Sequence, residues 1–346
     1  MLFHADRGGV CGGDAVVSER SPEDSGGVWP NSSMHTFVAA PHQVAGHLFQ
    51  DGKCGSLVSE PRDGCFYKPL QRGHRGQREL QFYLTLKSST CDDPDASPST
   101  SAASTSSGSG ASDEDDAPAS RSGGGSLVAL SSLVPRFYGT LVLDGVTYVK
   151  LEDVAGQYAC PSILDVKVGF RTWYPSATES HIAKCKVKDA ATTSSSLGFK
   201  VCGVQVYDRD RGTFWRTTKK FCKGLDGDSV RDVLRRFVKQ SGLSPREFCL
   251  GEAGIANPLQ ALMRWCETQR RFHFYSASIL LIYEGKPAYE RGGANPPPRL
   301  RLIDFAHTLN AGGEKDQNFI AGLASFKAVL EEIGSEVEGG EPQEAL

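Results

Sequence analysis

At 346 residues the chain has room for one large domain or two small ones, at about 100–200 residues each. Its 39% hydrophobic and 23% charged residues can build a core, and a formal net charge of −3 offers no cationic field for nucleic acid or an anionic membrane. No window approaches about 18 uninterrupted apolar residues and the N-terminus lacks an apolar run, so neither a transmembrane helix nor a secretory signal is expected.

Residues 1–36 are polar and glycine-rich and are expected to fray. Gly64–Leu70 (GCFYKPL) reads as a strand entered through the turn Asp63-Gly64. A helix follows from about Gly76 to Leu86, with Leu80, Tyr83 and Leu84 on one face. From Ser88 to Gly125 there is no Leu, Ile, Val, Met, Phe, Tyr or Trp; serine, alanine, glycine and the acidic run Asp113–Asp116 dominate. Such a stretch cannot bury enough surface to offset its ordering entropy, so 88–125 reads as a disordered insert. Beyond it, Thr140–Asp144 and Val146–Leu151 flank Asp144-Gly145, a strong hairpin signal. Ser162–Val168 is a strand, and Ser176-x-x-Glu179 is a capping box opening a helix that runs to Lys188.

Phe199–Asp208 alternates as a strand, and Val230, Val233, Leu234, Phe237 and Val238 trace a helical stripe. Phe272–Glu284 and Leu300–Asp304 are apolar strands, and Phe319, Ile320, Leu323, Phe326 and Leu330 mark a closing helix. Strands early and helices later predict an α+β fold of two lobes, 37–153 and 154–334, with a polar tail at 335–346. Ten cysteines lie scattered without a C-x-x-C pair, which reads as reduced thiols of cytosol or nucleus rather than a disulfide framework or zinc site.

Three segments carry charge inside or at the end of an apolar strand. In Pro161–Gly169, period two puts Asp165 and Lys167 on one face, with Leu164, Val166 and Val168 on the other. That pair is either a structural ion pair or a ligand cleft in which Asp binds hydroxyls or a metal and Lys neutralises phosphate. In Leu300–His307, Asp304 ends a strand and His307 follows. An Asp so placed either caps the next turn or holds the Mg²⁺ that bridges nucleotide phosphates. In Phe66–Leu70, Lys68 either points at water or reaches nucleotide phosphates, steadied by Glu79 on the next helix as in protein kinases.

Together the segments resemble a known family. Pro161–Gly169 matches P-x-x-x-D-x-K-x-G, the signature of the inositol polyphosphate kinases. Ser278-Ile279-Leu280 stands where that family has S-L-L, and Ile303–His307 where it has I-D-F-A-H. Leu197–Gly203 (LGFKVCG) resembles its L-G-F-R-x-C-G strand, and the order is the family's. His42–His47 (HQVAGH) and Gly156–Pro161 (GQYACP) look closest to its plant-type multikinase branch.

The resemblance implies a two-lobed protein-kinase-like fold, an antiparallel N-lobe sheet on a larger C-lobe, with ATP between them and Mg²⁺ as cofactor. Lys68 would contact ATP phosphates, the Glu152 carbonyl and Val154 amide would bond adenine, Asp165 would bind the ribose, and Asp304 would hold the metal. Lys167 would sit between γ-phosphate and inositol substrate, with His307 facing the inositol ring. Lys184 and Lys188, four apart on one helical face, and Lys220 beyond them form a basic patch suited to a dense anion. The expected activity is stepwise phosphorylation of inositol tris- and tetrakisphosphate to pentakisphosphate. A single-position kinase, an inositol hexakisphosphate kinase and a non-catalytic inositol-phosphate-binding scaffold or nuclear co-regulator are the alternatives. Small inositol polyphosphates are the expected partners of a monomer in nucleus and cytoplasm, without nucleic acid or stable membrane insertion.

Overall fold

A computed structural model describes residues 29–30, 36–46, 54–91 and 126–336. Most of the expected insert (92–125), the first 28 residues and the tail from 337 lie outside the described residues. In chain order, β1 (Trp29–Pro30), β2 (Thr36–Ala39), β3 (Leu57–Glu60) and β4 (Cys65–Pro69) precede helix α1 (His74–Cys91) and the short α2 (Leu127–Ser131). The hairpin β5 (Phe137–Leu143) and β6 (Val146–Glu152) completes an antiparallel sheet in the order β1-β2-β3-β4-β6-β5. Its turn carries positive φ at both Asp144 (48°) and Gly145 (75°), as a two-residue turn matched to strand twist requires.

The second lobe starts with β7 (Pro161–Val168), α3 (Glu179–Ala190), α4 (Ser194–Leu197), β8 (Phe199–Asp208) and β9 (Thr213–Arg216). Four helices follow: α5 (Lys219–Lys223), α6 (Gly227–Lys239), α7 (Pro245–Leu250) and α8 (Ala256–Thr268). Then come β10 (Phe272–Phe274), β11 (Ser278–Glu284), α9 (Ala288–Arg291), β12 (Arg299–Ile303), β13 (Thr308–Asn310) and α10 (Gln317–Ser335). The sheet order is β12-β11-β7-β8-β9, and β10 pairs with β13 apart from it.

Three expectations need correction. Helix α1 runs to Cys91, four residues into the stretch expected to be disordered from Ser88, because Ser88 and Ser89 donate their hydroxyls to Thr85 O and so sit on its last turns. Ser176 does not cap α3: residues 174–177 form a turn closed by Ala177 N–H to Tyr174 O, and Thr178 Oγ accepts the His181 N–H instead. The apolar run Phe272–Glu284 is two strands, broken where Ser276 takes a left-handed φ of 59°. Periodicity cannot see such a break in a continuous apolar run.

One core joins both lobes. Phe82 of α1 stacks on Phe305, ring centroids 3.8 Å apart, with Phe272 and Phe274 against its edge. Helix α10 sets Phe319, Leu323 and Phe326, all fully buried, beneath the five-stranded sheet of the second lobe, against β7 and β8. Each such side chain contributes about 1.5–3 kcal/mol over its exposed state.

The segment 41–46 lies across β8, where Val44 joins Tyr158, Ile163 and Ile282 in a small apolar cluster. Gly203 permits this approach: a Cβ there would stand 2.0 Å from Val44 O. Gly203→Ala is therefore expected to lower stability by about 1–3 kcal/mol in urea unfolding, through forced displacement of that segment. An unchanged midpoint would show that the segment does not rest on β8.

Candidate active site

β4 carries Lys68, and α1 turns Glu79 back toward it. Glu79 is fully buried, and Lys68 Nζ lies 2.6 Å from its Oε1. The same ammonium donates to Asp304 Oδ1 at 2.5 Å, across the gap between the lobes. Asp304 follows β12 directly, in a left-handed conformation (φ 68°) that Asp tolerates better than most residues. Its other oxygen faces Lys167 Nζ at 3.7 Å. On β7, Asp165 and Lys167 point to the same face, and Lys167 also donates to Ser276 O at 2.5 Å. The break between β10 and β11 thus presents a carbonyl to the central lysine.

Charge follows from this packing. Burial alone would raise the Asp304 carboxyl, but the ammonium groups of Lys68 and Lys167 hold it well below the usual range. For the same reason Lys68 lies well above its ordinary value despite burial, and Lys167 is raised. Asp165 moves the other way: burial, then the negative charge of Asp304, push it up to about 6 against the pull of Lys167. Its Oδ1 is buried and has no hydrogen-bond partner among the described residues.

The remaining expected site residues divide. Glu152 ends β6 and donates its N–H to Arg136 O, while Val154 opens the turn to β7 and packs on the Tyr158–Ile163 cluster. His307 sits beside Tyr174, with ring centroids 6.2 Å apart. Burial, then Arg75, Lys167, His181 and Arg78, lower it to about 4, so it is neutral near pH 7. Lys188 is exposed on α3 and lies within electrostatic range of Lys200, which stands opposite Lys167 on β8. Lys184 on α3 and Lys220 on α5 are exposed, and among the described residues their ammonium groups make no hydrogen bond or ion pair that would draw them into the cleft.

Sequence reasoning passed over Lys200 and the arginines of α1. Burial, then Lys167 and Lys188, lower the Lys200 ammonium. Arg78 donates to Tyr174 Oη at 3.1 Å and covers its ring. The signal was available: Lys200 and Cys202 alternate on one strand face, and Arg75 and Arg78 are three apart on a helix.

A divalent cation fits this donor set. Among the described residues no group of three or more His, Cys, Asp or Glu could cage a metal. Asp304, with Asp165 nearby, offers the one or two hard carboxylates that Mg²⁺ uses when phosphate oxygens supply the rest.

A family model described as inositol polyphosphate kinase matches residues 148–331. Inositol polyphosphate multikinase alpha of Arabidopsis thaliana is 35% identical over 305 residues, covering 84% of this chain and 94% of that protein. Multikinase beta of the same plant is 36% identical over 316 residues, covering 86% and 93%. The chain belongs to the inositol polyphosphate kinase family. The structure of an inositol phosphate multikinase from S. cerevisiae in complex with ADP and Mn²⁺ shares the fold at a TM-score of 0.55 and 21% identity, over 78% of this chain and 98% of that one. Asp165, Lys167, Asp304 and His307 fall inside the matched region, whereas Lys68 and Glu79 precede it and join the site through space.

In this kinase, Lys68→Met would strand the buried Glu79 carboxylate. A loss of roughly 3–5 kcal/mol in urea unfolding is expected, largely restored by adding Glu79→Leu. A single variant as stable as wild type would contradict the buried pair.

Proposed function

We propose that the chain is an ATP- and Mg²⁺-dependent inositol polyphosphate multikinase, converting inositol trisphosphate to the tetrakis- and pentakisphosphate. The observation that carries this reading is the convergence of Lys68, Lys167 and Asp304 on one cleft between the lobes. The Glu152 carbonyl and Val154 amide would hold adenine, and the unpartnered Asp165 Oδ1 would accept from a ribose hydroxyl. Asp304 would hold Mg²⁺, which supplies charge neutralisation at the nucleotide phosphates.

Lys68, steadied by Glu79, is placed to offset charge on the nucleotide phosphates. Lys167, paired across the strands with Lys200 and within electrostatic range of His307, would stand between that charge and the substrate and offset the charge of the transferring group on both sides. Neutral His307 can accept from a substrate hydroxyl or donate to its phosphate, depending on its tautomer. Positioning and charge do most of the work in phosphoryl transfer, so a conventional base is not required. Between α3 and β8 the chain has room only for the one-turn α4. That leaves the substrate face without an added wall and favours a site open to more than one inositol phosphate.

The test incubates the protein with ATP, Mg²⁺ and inositol 1,4,5-trisphosphate and separates products by anion exchange. Wild type should yield tetrakis- and pentakisphosphate, Lys167→Ala should lose roughly a hundredfold or more in kcat, and Asp304→Ala should give no product. Absence of product from wild type overturns the assignment, and a tetrakisphosphate that accumulates without further reaction favours a single-position kinase.

A further inference from the structure

Where β6 ends at Glu152, beside β5 and β12, lies a second concentration of positive charge that Lys68, Lys167 and Lys200 do not belong to. A cavity of about 420 Å³ is lined by Arg136, Tyr138, Glu152, Arg299 and Arg301, with Ser131 and Ser132 at the end of α2. Sheet order separates it from the cleft: β6 stands between β4, which carries Lys68, and β5, which carries Tyr138. None of Lys68, Asp165, Lys167 or Asp304 lines it; Glu152, whose main-chain carbonyl is assigned to adenine, turns its side-chain carboxylate to it.

The arginines are there by alternation. Along β12, Leu300 and Leu302 are fully buried in the core, so Arg299 and Arg301 must leave from the opposite face. Glu152 is the only acid among the lining residues, and it is already engaged. One of its oxygens accepts the Arg136 main-chain N–H at 3.3 Å, and the other meets Arg299 at 3.5 Å. Among the described residues, the guanidinium groups of Arg136 and Arg301 form no ion pair. Arg301 reaches only the Leu300 carbonyl, and its Nε is buried without a partner.

Three guanidinium groups against one carboxylate leave an excess of about two positive charges in a concave, partly desolvated space. Burial depresses Arg301, and Arg299 and Arg136 oppose its charge further. A fold gains nothing from such repulsion, whereas a bound dianion relieves it. Planar guanidinium forks match phosphate oxygens bidentately, and the volume falls within the roughly 300–1,000 Å³ of small-molecule sites.

We propose that this cavity is a second anion site, taking the phosphate group of a small soluble phosphate ester on Arg136, Arg301 and Arg299. This goes beyond the kinase reading and does not depend on it.

The experiment titrates inorganic pyrophosphate calorimetrically into the full chain in metal-free buffer at constant ionic strength. Pyrophosphate can also enter the catalytic cleft, so three proteins are compared: wild type, Arg136→Gln/Arg301→Gln, and Lys167→Ala/Lys200→Ala. The expected result is a saturable component in wild type that persists in the Lys167→Ala/Lys200→Ala protein and weakens at least tenfold in Arg136→Gln/Arg301→Gln. Identical isotherms for wild type and Arg136→Gln/Arg301→Gln would overturn the proposal. So would loss of all saturable binding in Lys167→Ala/Lys200→Ala, which would assign the whole signal to the cleft. Thermal unfolding checks that each variant is folded. Should the double variant unfold, Arg136→Gln alone, at an exposed position, must weaken the component at least threefold, and no weakening there overturns the proposal equally.

Discussion

A single carboxylate, that of Asp304, is shared by two lysines from opposite lobes, and the rest of the site is arranged around it. Lys68 comes from the first sheet and Lys167 from the second, so the ion pairs bridge the gap that a nucleotide would enter. Glu79 and Asp304 together balance the two ammonium groups, which leaves Asp165 as a third carboxylate without a cation of its own. Burial first, and then that surplus of negative charge, raise Asp165, whereas the two ammonium groups lower Asp304 in the same cleft. A polyphosphate and its metal would rearrange this balance rather than create it.

Packing holds the charges in register. Phe305, the residue after Asp304, stacks on Phe82 of α1, and Glu79 is one turn earlier on that helix. The aromatic contact and the Lys68–Glu79–Asp304 chain therefore tie the same two elements together, one through the core and one at its edge. Removing either would loosen the other, because a buried ion pair stabilises only when its geometry is kept. The left-handed backbone at Asp304 belongs to this arrangement: it turns the chain out of β12 so that the carboxylate enters the cleft while Phe305 stays in the core.

Much of this was legible in the residues. Strand alternation placed Asp165 with Lys167, and the Asp-Gly pair at 144–145 marked its hairpin, because both signals are local. The break at Ser276 was not legible, since apolar residues lie on either side of it and the contacts that hold the turn, from Lys167, Thr172, His307 and Val168, are all tertiary. Thr178 displaced Ser176 as helix cap for a similar reason: the competing turn at 174–177 is closed by a main-chain bond that composition does not announce. The meeting of Lys68 with Asp304, 236 positions apart, lay beyond any local pattern and came from the family resemblance alone. Lys200 lies inside the LGFKVCG strand, but its place opposite Lys167 depends on the pairing of β7 with β8, which no local pattern specifies.

The most direct test is a crystal structure with a non-hydrolysable ATP analogue and Mg²⁺. The account requires an Asp304 oxygen at about 2.0–2.1 Å from the metal, Lys68 on phosphate with Glu79 still beside it, and Asp165 Oδ1 bonded to a ribose hydroxyl. Nucleotide and metal bound elsewhere, with Asp304 still clasped by Lys68 and Lys167, would contradict it.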